Sequence, residues 1–194
     1  MATYRAIAAT TLAMERLLEG ALGLPENQVR GFQAKDFSSL EDSFLTAGGL
    51  SVYLYRVGFN TGQRNLYPRV SPEGRRARPP LLVDLHYLLT AWAKSAQVQQ
   101  ELLGRAMVAL EVRSSLPAGL LNGAINAPVF GPEETVDLLP ESLSLADLDV
   151  VWKMAQTNPQ PSASYLARMV ALEPEEGWVE APEVQTRVFE LVKP

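Results

Sequence analysis

The stretch Pro79-Pro80-Leu81-Leu82-Val83-Asp84-Leu85-His86-Tyr87-Leu88-Leu89-Thr90-Ala91-Trp92-Ala93 decides the fold. Eight of its residues are Leu, Val, Tyr or Trp, with two prolines in front and a polar helix start behind. The run falls short of the roughly 18 uninterrupted apolar residues that a membrane-spanning helix needs, and it reads as a strand buried over most of both faces. Within it Asp84 and His86 alternate with Val83, Leu85 and Tyr87. Successive strand side chains point to opposite faces, so the front of the strand carries a polar stripe on one side and packed aliphatics on the other. Such a strand belongs at the centre of a sheet.

Upstream, Gly48-Gly49 opens Leu50-Ser51-Val52-Tyr53-Leu54-Tyr55-Arg56-Val57-Gly58-Phe59, whose β-branched and aromatic content predicts a second strand. Val52, Leu54 and Arg56 oppose Tyr53, Tyr55 and Val57, so both of its sides are expected to be at least partly covered. Between the two strands, residues 60 to 80 carry punctuation at Gly62, Pro68 and Pro72-Glu73-Gly74, with Arg64, Arg69, Arg75, Arg76 and Arg78 and few apolar residues. This exceeds the usual loop length and predicts a protruding arm. The arm admits three readings: a solvated loop, an interface arm facing acidic partners, or a nucleic-acid contact. The last wants stacking aromatics, and only Tyr67 is near.

The remaining elements follow from period and punctuation. Residues 4–19 place Ile7, Thr11, Met14 and Leu18 on one helical stripe, with Gly20 as the stop. Residues 28–34 read as a short strand or bulged edge, and 36–47 as a polar-aromatic connection. Ser95 is placed to cap a crossover helix over 97–113, with Val98, Leu102, Ala106, Ala109 and Leu110 buried. Leu116 to Leu121 gives a helical turn, 122–132 a loop and 135–140 a short strand. Ser144 with Asp147 three residues on predicts a helix start, and Leu145, Leu148, Trp152 and Ala155 follow at helical spacing. A late strand runs over 164–172, an acidic segment follows, and Val184 to Val192 alternates as one more strand, either an edge or one lying on another chain.

Length and composition bound the function. The chain has 194 residues, 47% apolar and 20% charged, which supports a sizeable core and predicts one domain over 1–194, with the arm at about 60–80 and an acidic extension at about 173–194. The start Met1-Ala2-Thr3-Tyr4-Arg5 lacks a basic region followed by an apolar core, so a soluble protein that stays on the cytosolic side is expected. A net charge of −5 and a pI near 5.0 disfavour non-specific nucleic-acid binding. No cysteine is present, which removes disulfides, thiol nucleophiles and thiolate metal sites. With a single histidine, no Gly-x-Ser-x-Gly and neither type of glycine-rich phosphate loop, the sequence offers no catalytic residues, no cofactor site and no metal set. Asp84 could orient His86 on the shared strand face, but a structural histidine is the simpler reading. Trp92 and Trp152 are expected in the core, whereas Trp178, in an acidic proline-flanked segment, suits a contact.

Taken in order, several stretches resemble the cap, or tail-terminator, family of phage-tail-like contractile injection systems. They are the helix at 4–19, Leu50-Ser-Val-Tyr-Leu-Tyr-Arg-Val57, the Pro79 to Trp92 strand, Glu101-Leu-Leu-Gly-Arg-Ala-Met107, Glu141-Ser-Leu-Ser-Leu-Ala-Asp-Leu148 with Trp152, and Ser164-Tyr-Leu-Ala-Arg-Met-Val170. The acidic end after residue 173 departs from that pattern. The resemblance implies an α/β (α+β) fold with a central mixed sheet flanked by helices. It also implies a non-enzymatic ring, expected to be a homohexamer, that closes the inner tube and sheath at the end away from the baseplate. Its partners would be further copies of itself, the tube protein and the sheath protein, with neither nucleic acid nor membrane insertion. Assembly is expected in the bacterial cytoplasm, and the product is part of the injection particle. Arg64, Arg69, Arg75, Arg76, Arg78, Trp178, Val188 and Phe189 are the candidate interface residues. Two alternatives stay open: a tail-completion or baseplate adaptor of a related assembly, and a hydrolase using Asp84 and His86.

Overall fold

The structure, a computed structural model, describes residues 3–63, 69–70, 75–125 and 127–174. The quoted stretch is a strand, Leu81–Trp92 (β5), third in a six-stranded sheet. Before it come α1 (Ala6–Leu22), β1 (Val29–Phe32), α2 (Asp42–Ala47), β2 (Gly49–Phe59), β3 (Arg69–Val70) and β4 (Arg76–Ala77). After it come α3 (Ala96–Val112), β6 (Ser115–Pro117), α4 (Ala118–Ile125), β7 (Thr135–Glu141), α5 (Leu145–Met154) and β8 (Ser162–Leu172). The sheet order is β1-β2-β5-β8-β7-β6, with β1 parallel to β2 and the other neighbours antiparallel, while β3 and β4 pair with each other. The fold is therefore the mixed α/β sheet flanked by helices that the sequence predicts.

Each face of the sheet carries its own core, and β5 serves both. Val83, Leu85, Tyr87, Leu89 and Ala91 point to the side covered by α1, α3 and α4, where Met14, Leu18, Leu102, Leu110 and Leu121 meet them. Leu88 and Trp92 point the other way, into an aromatic cluster with Phe32, Phe37, Phe44, Tyr53 and Trp152. Phe37 sits on a 3₁₀ turn, Ala34–Ser38, Phe44 on α2 and Trp152 on α5. The connection at 36–47 is thus structured, because its two phenylalanines close the second core. Tyr87 is fully buried and bonds the Thr11 hydroxyl at 2.9 Å, which ties α1 to the central strand.

Caps were the most legible boundaries. Ser95 Oγ accepts the Val98 N–H at 3.2 Å, and Ser144 Oγ accepts that of Asp147 at 3.1 Å, fixing the starts of α3 and α5. Elsewhere the sequence reading needs correction. Gly20 lies inside α1, which runs on to Leu22 and closes at Gly23, whose φ of +62° supplies the left-handed turn. Residues 118–125 form α4, since Asn122 accepts from the N–H groups of Val129 and Phe130 and donates to the Phe130 carbonyl, folding the following loop back on its helix. Two residues placed on buried stripes face outward, Val98 at 48% and Leu145 at 86% exposure, both in the first turn of a helix, before it reaches the sheet.

Strict alternation fails on the strands that flank β5, for a reason written in the pairing. On β2, Leu54 sits opposite Tyr87 and Arg56 opposite His86, so Tyr55 is an inserted residue. On β8, Arg168 and Met169 together face Asp84, and Met169 takes φ +57°. These are β-bulges. After the second one Val170, not Met169, returns to the core.

Candidate assembly surface at the arm end of the sheet

Beyond the bulges, β2 and the start of β5 leave the cover of the helices. Phe59 is 67% exposed, and Val57, Leu81 and Val70 are also exposed. In the register Val57 and Phe59 stand beside Leu85 and Val83, so their apolar surface continues the helix-covered face of the sheet out to its tip. The arm rises from this tip. Asn60 N–H donates to the Leu82 carbonyl at 3.0 Å, and its side-chain amide donates to both Asp84 oxygens at 3.2 and 3.1 Å. Asp84 also accepts the Met169 N–H at 2.9 Å. One carboxylate therefore holds the base of the arm and the bulge of β8 together.

Beyond that clamp, β3 and β4 form a short antiparallel pair, with Arg69 opposite Ala77 and Val70 opposite Arg76. Arg75, Arg76 and Arg78 are exposed beside Val70 and Leu81. The structure thus brings three of the candidate arginines to the same end as an apolar tip. Arg69 is placed by its backbone in β3, while Arg64, Trp178, Val188 and Phe189 lie outside the described residues. The apolar half of the surface escaped sequence reasoning, since alternation predicts cover for Val57 and Phe59 alike. The signal available was position: both stand at the loop end of a strand, where flanking elements run out.

His86 is not oriented by Asp84. Its Nδ1 lies 3.0 Å from each Glu141 oxygen, across β8 on β7. The Tyr55 hydroxyl donates to Glu141 at 3.0 Å and the Ser164 hydroxyl does so at 3.1 Å. Burial raises the Glu141 pKa, but these three donors and the imidazole charge outweigh it and hold the carboxyl below its ordinary value. Burial pushes the Tyr55 phenol up to about 12. Tyr55 reaches this site because it shares a face of β2 with Tyr53, which stands opposite Leu88 on the face that also carries His86. Ser164 Oγ lies 3.1 Å from Glu141 and 3.3 Å from the Tyr87 carbonyl, its one proton shared between the two acceptors, and the group joins β2, β5, β7 and β8. Among the described residues no three His, Cys, Asp or Glu gather as a metal set, and no helix is long and apolar enough to cross a membrane.

Residues 9–186 match the family model described as the Pvc16 N-terminal domain. The chain belongs to that family. A sheath/tube terminator of an extracellular contractile injection system, PVC, in its extended state superposes on the Pvc16-type chain with a TM-score of 0.63 at 17% identity, over 96% of this chain and 64% of that one. The tube-terminating cap of the anti-feeding prophage, AFP, gives 0.60 at 16% identity, over 92% and 59%. The chain thus spans less than two thirds of either terminator, and at such identities the likeness establishes the fold. No curated protein matches it.

Proposed function

We propose that this Pvc16-type chain is a non-enzymatic cap that ends the inner tube and sheath of a contractile injection system at the end away from the baseplate. The observation that carries this reading is the superposition of 96% of the chain on a sheath/tube terminator at a TM-score of 0.63. Physical logic supports it. A polymer of identical subunits stops when its end meets a ring that matches it on one side and offers no template on the other. The sheet edges β1 and β6, four and three residues long, offer little template to an incoming chain other than a segment shaped for them. In this reading the chain forms a ring, a homohexamer, and the arm with its exposed apolar tip faces tube, sheath or the adjacent copy. The alternating segment 184–192 would then add as a strand across copies.

The test is deletion. Particles made without the chain should have uncontrolled lengths in electron micrographs, and adding the chain back should restore one length with density at the end opposite the baseplate. Particles of normal length distribution without it, or density for the chain at the baseplate, would refute the cap and favour the adaptor reading.

A further inference from the structure

A second surface lies away from the arm, along the helices. Residues of α1 and α3 form an open groove of about 620 Å³ lined by Leu22, Gly104, Val108, Ala109 and Val112. An adjoining hollow of about 570 Å³ shares Val112 and Arg113 and continues to Leu17 and Gly20. Val108 is 64% and Val112 77% exposed, one helical turn apart, while Leu102, Ala106 and Leu110 already fill the opposite side of α3. A helix apolar on two sides has one stripe too many for its own core. Gly104 opens the groove further, since nothing lies within 4 Å of where its Cβ would be.

The rim is basic. Arg105 donates to the Leu22 carbonyl at 2.9 Å and Arg16 to that of Gly123, so both guanidiniums are held at the edge, and Arg113 joins them where the two hollows meet. Among the described residues the one acidic group lining these walls is Glu101, which accepts from Gln97 at 2.8 Å. An occupant should therefore be apolar and flanked by acids. The chain contains such a segment. Residues 173–183, Glu-Pro-Glu-Glu-Gly-Trp-Val-Glu-Ala-Pro-Glu, set Trp178 and Val179 among five glutamates with no lysine or arginine. The arginine-bearing arm, by contrast, would be repelled by the same rim.

We propose that the acidic segment around Trp178 docks in the α1–α3 groove, Trp178 and Val179 against Val108 and Val112, and Glu175, Glu176, Glu180 and Glu183 facing Arg16, Arg105 and Arg113. The segment acts as a clasp, and its charge gives the docking a salt dependence. This reading is independent of the cap function.

The absence of native cysteine allows a direct test on the full-length chain. Val112→Cys with Val179→Cys should form a disulfide under mild oxidation at least tenfold faster than Leu145→Cys with Val179→Cys, whose partner position lies on α5. The product's mass reports whether the clasp closes within one chain or between two copies, and either result supports it. Adding Arg105→Glu and Arg113→Glu should slow the reaction about tenfold, and further adding Glu180→Arg with Glu183→Arg should restore it, circular dichroism verifying the fold of each. Equal rates at positions 112 and 145, or a rate indifferent to the charge reversals, would overturn the proposal.

Discussion

Glu15 and Glu141 are both partly buried carboxylates, and their surroundings drive them in opposite directions. Burial raises Glu15 to about 7, only partly offset by the Gly31 backbone N–H beside it. Glu141 ends below its ordinary value because three donors outweigh its burial. The signs follow from linkage. Glu15 holds its proton more tightly folded than unfolded, so its contribution is complete below about pH 4.5 and lost as pH rises through about 7. Glu141 contributes above the unfolded carboxylate value, and that contribution disappears as pH falls through its lower folded one. In urea titrations Glu15→Gln should therefore exceed the wild type at pH 8 and match it at pH 4. Glu141→Gln should lose about 1.5–3 kcal/mol at pH 7, the range for hydrogen bonds to a charged group, with the gap closing in acid. A pH-independent difference for either would refute the assignment. A third residue acts through space alone. A Cβ on Gly49 would lie 2.3–2.5 Å from Phe44 ring carbons. Phe44 is fully buried and packs on Phe32 with centroids 5.7 Å apart, so it has nowhere to retreat. Gly49→Ala should cost about 3 kcal/mol in a denaturant titration, at the upper end of overpacking penalties; a loss under about 0.5 kcal/mol would show that the ring can yield.

Among the elements, the arm couples a rigid base to a charged end. The Asp84 clamp on Asn60 and Met169 fixes where the arm leaves the sheet, and Arg75, Arg76 and Arg78 stand exposed beyond it. Replacing these three by glutamate should leave the unfolding free energy from urea titration within about 1 kcal/mol of the wild type, as expected for exposed positions. Co-sedimentation with tube and sheath should fall at least tenfold, and unchanged co-sedimentation would remove the arm from the interface. Elements also mark how far sequence could be read. β5 and the caps at Ser95 and Ser144 were legible because each is encoded within a few adjacent residues. The bulges at Tyr55 and at Arg168–Met169 were not, since an inserted residue is defined only against the partner strand. For the same reason the sequence offers a structural histidine at His86 with Asp84 as the one nearby group that could orient it. Its true partner, Glu141, is 55 positions away and reaches it only once β8 has threaded between β5 and β7.

At the scale of the molecule, the mixed sheet was legible because its central strand is the most apolar run, whereas the order of strands around it was not. β2, β5 and β8 are neighbours in the sheet although long segments separate them in the chain. Both cores hang on these shared strands: Val52 and Leu85 face the α1–α3–α4 side, while Tyr53, Leu88 and Trp92 face the aromatic side. Neither face can be lost without exposing the back of the other, so the two cores should melt as one cooperative unit. In a Trp178→Phe background, tryptophan emission reports the aromatic core through Trp92 and Trp152, and far-ultraviolet circular dichroism is dominated by helices such as α1 and α3 on the opposite face. The two urea transitions should coincide in midpoint and slope. An emission change that precedes the loss of helix would show that the aromatic face with α2 and α5 opens by itself, and that the chain is built of two stability units rather than one.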